Sequence, residues 1–197
     1  MRWHTKFLLS ALSAEQFPAP SVPEIAFLGR SNVGKSSLIN ALLKSAAAKV
    51  SSTPGRTRAI NFFSLQDRPE RPAKMIFADL PGYGYAKISK SISAEWPSFI
   101  EPYLEERETL ALCCCLVDLN IPPQASDIAL QDALARWDRN VLIVGTKADR
   151  LSGNKLANQM RLLGQAFGGA RILPCSAETG RGISELAAEI AAAAGVQ

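Results

Sequence analysis

Residues Gly29 to Ser36 read G-R-S-N-V-G-K-S. They follow the short apolar run Glu24–Leu28 and precede a helix-like segment from Gly34 to about Lys44. Strand, G-x-x-x-x-G-K-[ST] loop and helix in that order constrain the chain more than any other feature. Gly29 and Gly34 allow a tight backbone whose N–H groups converge on an anion. The helix beginning near Gly34 aims the positive end of its dipole at the same point. Lys35 adds a mobile charge able to reach the β and γ phosphates of a nucleotide, and Ser36 a hydroxyl for Mg²⁺. Arg30, Ser31, Asn32 and Val33 form the body of the loop, and Ser37 continues it into the helix. At average residue frequencies a chance match in a chain of this size arises about 1% of the time, and the flanking elements make chance rarer still.

The remaining chain alternates apolar runs with amphipathic ones. Lys6–Leu9 is a possible first strand. Ile60–Leu65 and Lys74–Asp79 flank the turn-rich Asp67–Pro72 and read as an antiparallel hairpin. Leu110–Asp118 is apolar throughout, as expected of a strand covered on both faces. Asn140–Gly145 and Arg171–Leu173 read as further strands. Helices are expected over Ser93–Arg107 (with breaks or a start at Pro97 and Pro102), Gln124–Arg136, Asn154–Phe167 and Gly182–Ala194. This alternation predicts an α/β architecture with a mostly parallel sheet, in which ligands sit at the carboxyl ends of the strands.

Those strand ends carry a consistent set of motifs. After Met75–Ala78 stands D-L-P-G, Asp79-Leu80-Pro81-Gly82. A carboxylate there can hold Mg²⁺ through water, and the Gly82 N–H can meet a γ-phosphate. Between this motif and the first loop lies the polar stretch Ser51–Arg58, containing Gly55, Arg56, Thr57 and Arg58 before Ala59. Its composition suits a segment that orders around a γ-phosphate, with Thr57 the preferred hydroxyl for Mg²⁺ and Thr53 the alternative. After Val141–Gly145 comes T-K-A-D, Thr146-Lys147-Ala148-Asp149. The Asp149 carboxylate can accept from guanine N1–H and its 2-amino group, whereas adenine leaves it unpaired, a difference of about 10⁴-fold in principle. Lys147 can lay its stem across the base. The last strand end supplies Cys175-Ser176-Ala177, where the Ala177 N–H is a candidate donor to guanine O6.

Composition narrows the setting. Hydrophobic residues make up 47% and charged residues 20%, ordinary for a globular chain. No apolar run reaches the roughly 18 residues of a membrane span. Phe7–Leu12 is too short for a leader, and neither terminus carries a lipidation motif. The adjacent Cys113, Cys114 and Cys115 point to alternate faces of a strand, which suits buried thiols in a reducing, cytoplasmic compartment better than a metal site. A net charge of +4 and a pI near 9.0 favour an anionic partner without naming one. For such a partner Arg56, Arg58, Lys87, Lys90, Arg136 and Arg139 are candidate phosphate contacts.

The ordered loops resemble those of the translation-factor class of P-loop GTPases. More narrowly, G-R-S-N-V-G-K-S-S, then T-P-G-R-T with Asn61-Phe62-Phe63 after it, then D-L-P-G-Y-G-Y-A and T-K-A-D are similar to the EngB family (also called YihA or YsxC), over about Phe7 to Ile190. Leu119-Asn120-Ile121 departs from the basic residues more usual there. The resemblance implies one GTPase domain over residues 1–197, with residues 1–23 an N-terminal extension. Its fold would be a three-layer α/β P-loop GTPase domain, a mixed, mostly parallel six-stranded sheet with helices on both faces. It implies Mg²⁺ held by Ser36 and Thr57, with Asp79 beside them, and Lys35, Thr57 and Gly82 as the catalytic set. It also implies a role in bacterial large ribosomal subunit assembly and cell division; the alternative is a GTP-dependent switch with a non-ribosomal partner and negligible intrinsic hydrolysis.

The expected partners are guanine nucleotide and the large ribosomal subunit, with no DNA and no membrane anchor, and the chain is expected to act as a monomer. Where Ras-like proteins place a water-orienting glutamine this chain has Tyr83, so slow intrinsic hydrolysis is expected. Asn32 is a candidate K⁺ ligand beside the phosphates, as in related GTPases with N-V-G-K-S loops; the other reading is that it serves the turn.

Overall fold

The computed structural model describes residues 3–45, 59–83 and 98–196. Strands β1 (His4–Ala11), β2 (Glu24–Gly29), β3 (Ile60–Gln66), β4 (Met75–Asp79), β5 (Leu110–Asp118), β6 (Val141–Thr146) and β7 (Ile172–Pro174) form one sheet, in the order β1-β3-β4-β2-β5-β6-β7. β1 pairs antiparallel with β3 and β3 with β4, while β4–β2, β2–β5, β5–β6 and β6–β7 are parallel. Thus β3 alone runs against the rest, and the carboxyl ends of the other strands gather on one side.

Side chains alternate across this sheet as strand geometry requires. Ile25, Phe27, Leu112, Cys114 and Leu116 face α1 (Lys35–Leu43) and α5 (Ile183–Ala193). Ala26, Leu28, Cys113 and Cys115 face α2 (Ile100–Glu106) and α3 (Ala125–Arg136). On that second side α4 (Gly153–Ala166) covers Val117, Ile143 and Ile172 with Leu156 and Leu163. The result is three layers, as expected. Burial drives the thiol of Cys113 up to about 12 and those of Cys114 and Cys115 well above the ordinary range.

The sheet has seven strands, one more than the six expected. The added edge is the N-terminal segment, whose strand runs from His4 to Ala11 rather than over Lys6–Leu9. Its apolar alternation is weak because Phe7 stays 53% exposed, and Ala11 is its one fully buried residue. What fastens the segment lies further on. The Phe17 ring packs edge-on against Tyr103 at 5.2 Å and Phe62 at 6.1 Å, contacts of about 1 kcal/mol each. Helix α2 begins at Ile100, the expected start at Ser93 lying outside the described residues, and accepts Pro102 because that residue sits in the first turn, where N–H groups have no intrahelical acceptor.

At the amino end of β2, Glu24 is fully buried. Its carboxylate accepts from the Tyr103 hydroxyl at 2.8 Å, Arg107 Nε at 2.9 Å and the Thr109 hydroxyl at 2.7 Å. This network ties α2 and the entry to β5 to the sheet, at the opposite end of β2 from Gly29.

Candidate functional site

The phosphate loop leaves β2 at Gly29, packed so closely that a Cβ there would meet Val33 Cγ1 at 2.8 Å and Leu116 at 3.1 Å. Asn32 (φ 65°) and Gly34 (φ 102°) take left-handed conformations, and these bends carry the backbone into α1. The conformation of Asn32 accords with its turn role. Lys35 is the first residue of α1 and forms an ion pair with Asp79, the last residue of β4, the two side chains being 12% and 9% exposed. Ser36 follows half-buried, and Ser37 is exposed.

The D-L-P-G segment closes on this loop through the backbone. The Leu80 N–H donates to the Phe27 carbonyl at 3.2 Å and the Ser31 N–H to the Tyr83 carbonyl at 2.9 Å. Arg30 and Tyr83 form a parallel bridge beyond the strand ends. Leu80 and Pro81 are buried, whereas Gly82 is exposed and lies against Ser31, whose N and Oγ would each be 3.1 Å from an added Cβ. Tyr83 turns inward, 2% exposed, and donates its hydroxyl to Asp127 Oδ1 of α3 at 2.9 Å. Burial raises the Asp127 carboxyl to about 6, against the lowering pull of the Tyr83 hydroxyl and the Arg30 guanidinium. Burial and the Asp127 charge hold the Tyr83 phenol well above its usual range.

The third wall is built from the ends of β5, β6 and β7. Thr146, 3% exposed, donates its hydroxyl to the Val33 carbonyl at 2.6 Å, with the Val117 carbonyl at 3.1 Å. Lys147, in a left-handed conformation (φ 58°), sends Nζ to the Asn32 carbonyl at 2.9 Å and to Asp118 Oδ2 at 2.6 Å. Burial disfavours the Asp118 charge, but hydrogen bonds from Lys147 and Asn120 outweigh it and hold the carboxyl below the usual range. The Ala148 N–H donates to the Cys175 carbonyl at 3.1 Å. Asp149 is exposed, and its Oδ1 accepts from the Ser176 hydroxyl at 2.6 Å. Ser176 Oγ in turn accepts from the Thr179 N–H at 3.1 Å, and Ala177 follows half-buried.

Among the described residues, four of the loops picked out in the sequence therefore meet at the carboxyl end of the strands, where amides, two lysines (Lys35 and Lys147) and three carboxylates (Asp79, Asp118, Asp149) gather near the start of α1. Ala59 is buried just before β3. The expected site residues Gly55, Arg56, Thr57 and Arg58, the alternative Thr53, and Lys87 and Lys90 lie outside the described residues. Of the candidate phosphate contacts, Arg136 is exposed, but Arg139 turns its guanidinium to the carbonyls of Arg107 (3.2 Å) and Glu105. Two residues escaped motif reading. In the sequence Asp118 reads only as the end of a strand. Asp127 shares a helical stripe with Leu130 and Leu134, and a carboxylate on an apolar stripe is the signal that could have found it.

This fold, with its phosphate loop and its ordered motifs at the strand ends, defines a P-loop GTPase. Residues 24–147 match the family model described as 50S ribosome-binding GTPase. The chain is 63% identical over 191 residues to the probable GTP-binding protein EngB of Acidobacterium capsulatum, covering 96% of this chain and 90% of that protein. It is 55% identical over 196 residues to the probable GTP-binding protein EngB of Koribacter versatilis, covering 99% and 96%. The chain belongs to the EngB family of GTP-binding proteins. In fold it is similar to the crystal structure of a probable GTP-binding protein EngB, with a TM-score of 0.68 at 22% identity over 86% of this chain and 97% of the other. It binds guanine nucleotide and is a GTPase. Among the described residues no helix is long and apolar enough to cross a membrane.

Proposed function

We propose that this chain is a single-domain cytoplasmic switch that hydrolyses GTP slowly by itself and acts in assembly of the large ribosomal subunit, with normal cell division depending on it. The observation that carries the reading is the joining of phosphate and base loops by Thr146 and Lys147, which bond the carbonyls of Val33 and Asn32. A pocket tied together in this way measures a nucleotide from phosphate to base. The family's description as 50S ribosome-binding GTPases supports the choice of partner.

The residues fit the reaction class. Amides of Gly29–Gly34 and the Lys35 ammonium neutralise the β and γ phosphates, and the Gly82 N–H meets the γ-phosphate. Asp149, steadied by Ser176, accepts from guanine N1–H and the 2-amino group, with the Ala177 N–H toward O6. Ser36, Asp79 and Thr57 provide the hard oxygen donors that Mg²⁺ prefers. Bound there, that ion would supply charge neutralisation for the phosphates. Tyr83 commits its hydroxyl to Asp127, so the residue following Gly82 does not orient the attacking water as glutamine does in Ras-like proteins. That leaves a K⁺ ion near Asn32, or a group from the ribosomal partner, to complete the charge balance.

Calorimetry with GDP, a non-hydrolysable GTP analogue and ATP tests the pocket: guanine nucleotides bind with Mg²⁺ and ATP does not, and tighter ATP binding overturns the reading. Sedimentation with ribosomal subunits tests the partner: the GTP-analogue form travels with the large subunit, and nucleotide-blind association argues against a switch. Turnover in K⁺ and Na⁺ at matched ionic strength tests the cation, equal rates removing potassium from the account.

A further inference from the structure

The Tyr83 side chain turns into the core, while its backbone joins the phosphate loop. Its carbonyl accepts from the Ser31 N–H at 2.9 Å, and its neighbour Gly82 lies against Ser31. The ring sits in the core on the α3 side of the sheet with Leu28, Ala78, Leu80, Cys115, Leu130 and Leu134. A tyrosine buried to this depth requires an acceptor for its hydroxyl. Asp127 supplies it at 2.9 Å while itself 7% exposed in the first turn of α3. The Arg30 guanidinium acts electrostatically on both groups, so the same polar cluster reaches the phosphate loop. The direction of the Tyr83 ring thus sets the path of the backbone from Leu80 to Tyr83, and α3 sets the direction of the ring.

We infer that Asp127 is a positioning residue for GTP hydrolysis: by holding the Tyr83 hydroxyl it fixes the Gly82 amide against the phosphate loop, and so makes α3 part of the apparatus that distinguishes GTP from GDP. The inference rests on the proposed contact between the Gly82 N–H and the γ-phosphate. It concerns the third phosphate, because the Asp127 side chain bonds the residue next to Gly82. Loosening the clamp leaves GDP held as before and weakens what depends on the placement of Gly82.

The experiment compares the full-length wild type with Asp127→Leu, Asp127→Asn, Tyr83→Phe, the Tyr83→Phe/Asp127→Leu double variant and Gly82→Ala. It measures dissociation constants for GDP and a non-hydrolysable GTP analogue, together with kcat and KM for GTP. Asp127→Leu lowers kcat and analogue affinity by about tenfold each, the worth of one buried hydrogen bond, while GDP affinity stays within about twofold. Asp127→Asn keeps an acceptor oxygen and restores wild-type values. Tyr83→Phe matches Asp127→Leu, and the double variant is no worse than either, as for two ends of one interaction. Equal losses of GDP and analogue affinity in Asp127→Leu, or no rescue by asparagine, overturn the inference. Loss of analogue affinity in Gly82→Ala with none in Asp127→Leu overturns it alone. An unchanged Gly82→Ala removes the underlying reading of Gly82, and the inference with it.

Discussion

Thr146 donates its hydroxyl to the carbonyl of Val33 at 2.6 Å, although the two residues are separated by 113 positions in the chain. In the N-K-x-D form of the guanine motif an asparagine stands first; here a hydroxyl of shorter reach makes the tie, because β5 and β6 bring the loop close to Val33. Replacing Thr146 by valine preserves volume and removes the donor. We expect a loss of about 1–2 kcal/mol in unfolding free energy. GDP binding should weaken by about 3- to 10-fold. Urea titration and calorimetry on the same preparation check both, and unchanged GDP affinity would show that the tie is dispensable.

On the proposed reading, Asp149 accepts hydrogen bonds from the base. The substitution Asp149→Asn replaces two acceptor oxygens with one acceptor and one donor, and the donor faces the guanine 2-amino group. GDP affinity falls by about 100-fold or more, while xanthosine diphosphate, with a carbonyl at that position, gains. The Ser176 bond to Oδ1 survives the change, so the fold is unaffected. Competition of the two diphosphates against a fluorescent nucleotide decides the matter.

Arg107 faces Glu24 at the far end of the sheet with the carboxylate fully buried. Arg107→Met leaves that charge with two hydroxyl donors and no cation. The expected cost is about 3 kcal/mol of stability, seen as a lower urea midpoint with an unchanged slope. Nucleotide affinity, measured well below the new midpoint, stays within about twofold.

The raised Asp127 carboxyl makes stability depend on pH in a definite direction. An unfolded aspartate ionises near about pH 3.9, whereas folded Asp127 keeps its proton to about 6. Its contribution is therefore fully present below about pH 4 and is lost as pH rises through about 6. The groups facing it are Tyr83 after β4, Cys115 in β5 and Arg30 in the phosphate loop; burial holds the Tyr83 phenol and the Cys115 thiol protonated over that window. Unfolding of wild type and Asp127→Asn between about pH 4.5 and 7 should show the variant gaining on wild type as pH rises, by at most about 3 kcal/mol. A difference that shrinks toward neutral pH contradicts the assignment.

The motifs legible in the sequence share a property: each is a short contiguous run whose residue types are dictated by backbone geometry or by one chemical contact. Gly29–Ser36, Asp79–Gly82, Thr146–Asp149 and Cys175–Ala177 are of this kind, and the strands before them announce themselves by apolar composition. The relationships that escaped depend on which face of an element meets which neighbour. Asp127 pairs with a residue 44 positions away, and Glu24 looked like one member of an apolar run because its partners stand 79, 83 and 85 positions downstream. The first strand is legible only in part, over Lys6–Leu9 rather than His4–Ala11, since an edge strand with one fully buried residue has little need of the alternation by which strands are recognised. Lys147 reads in the sequence as a cover for the base; the bonds of its amino group to Asn32 and Asp118 depend on where two other loops end.

Strand β2 begins at Glu24 and ends at Gly29, so a single stretch of six residues joins a keel to a hand. Damage at its first position and damage at its last should give two unlike populations in a mutant collection. Lesions around Glu24 would yield heat-sensitive proteins that still grip their ligand when cool, whereas a side chain at Gly29, pressed against Val33 and Leu116, would cost grip and sturdiness together.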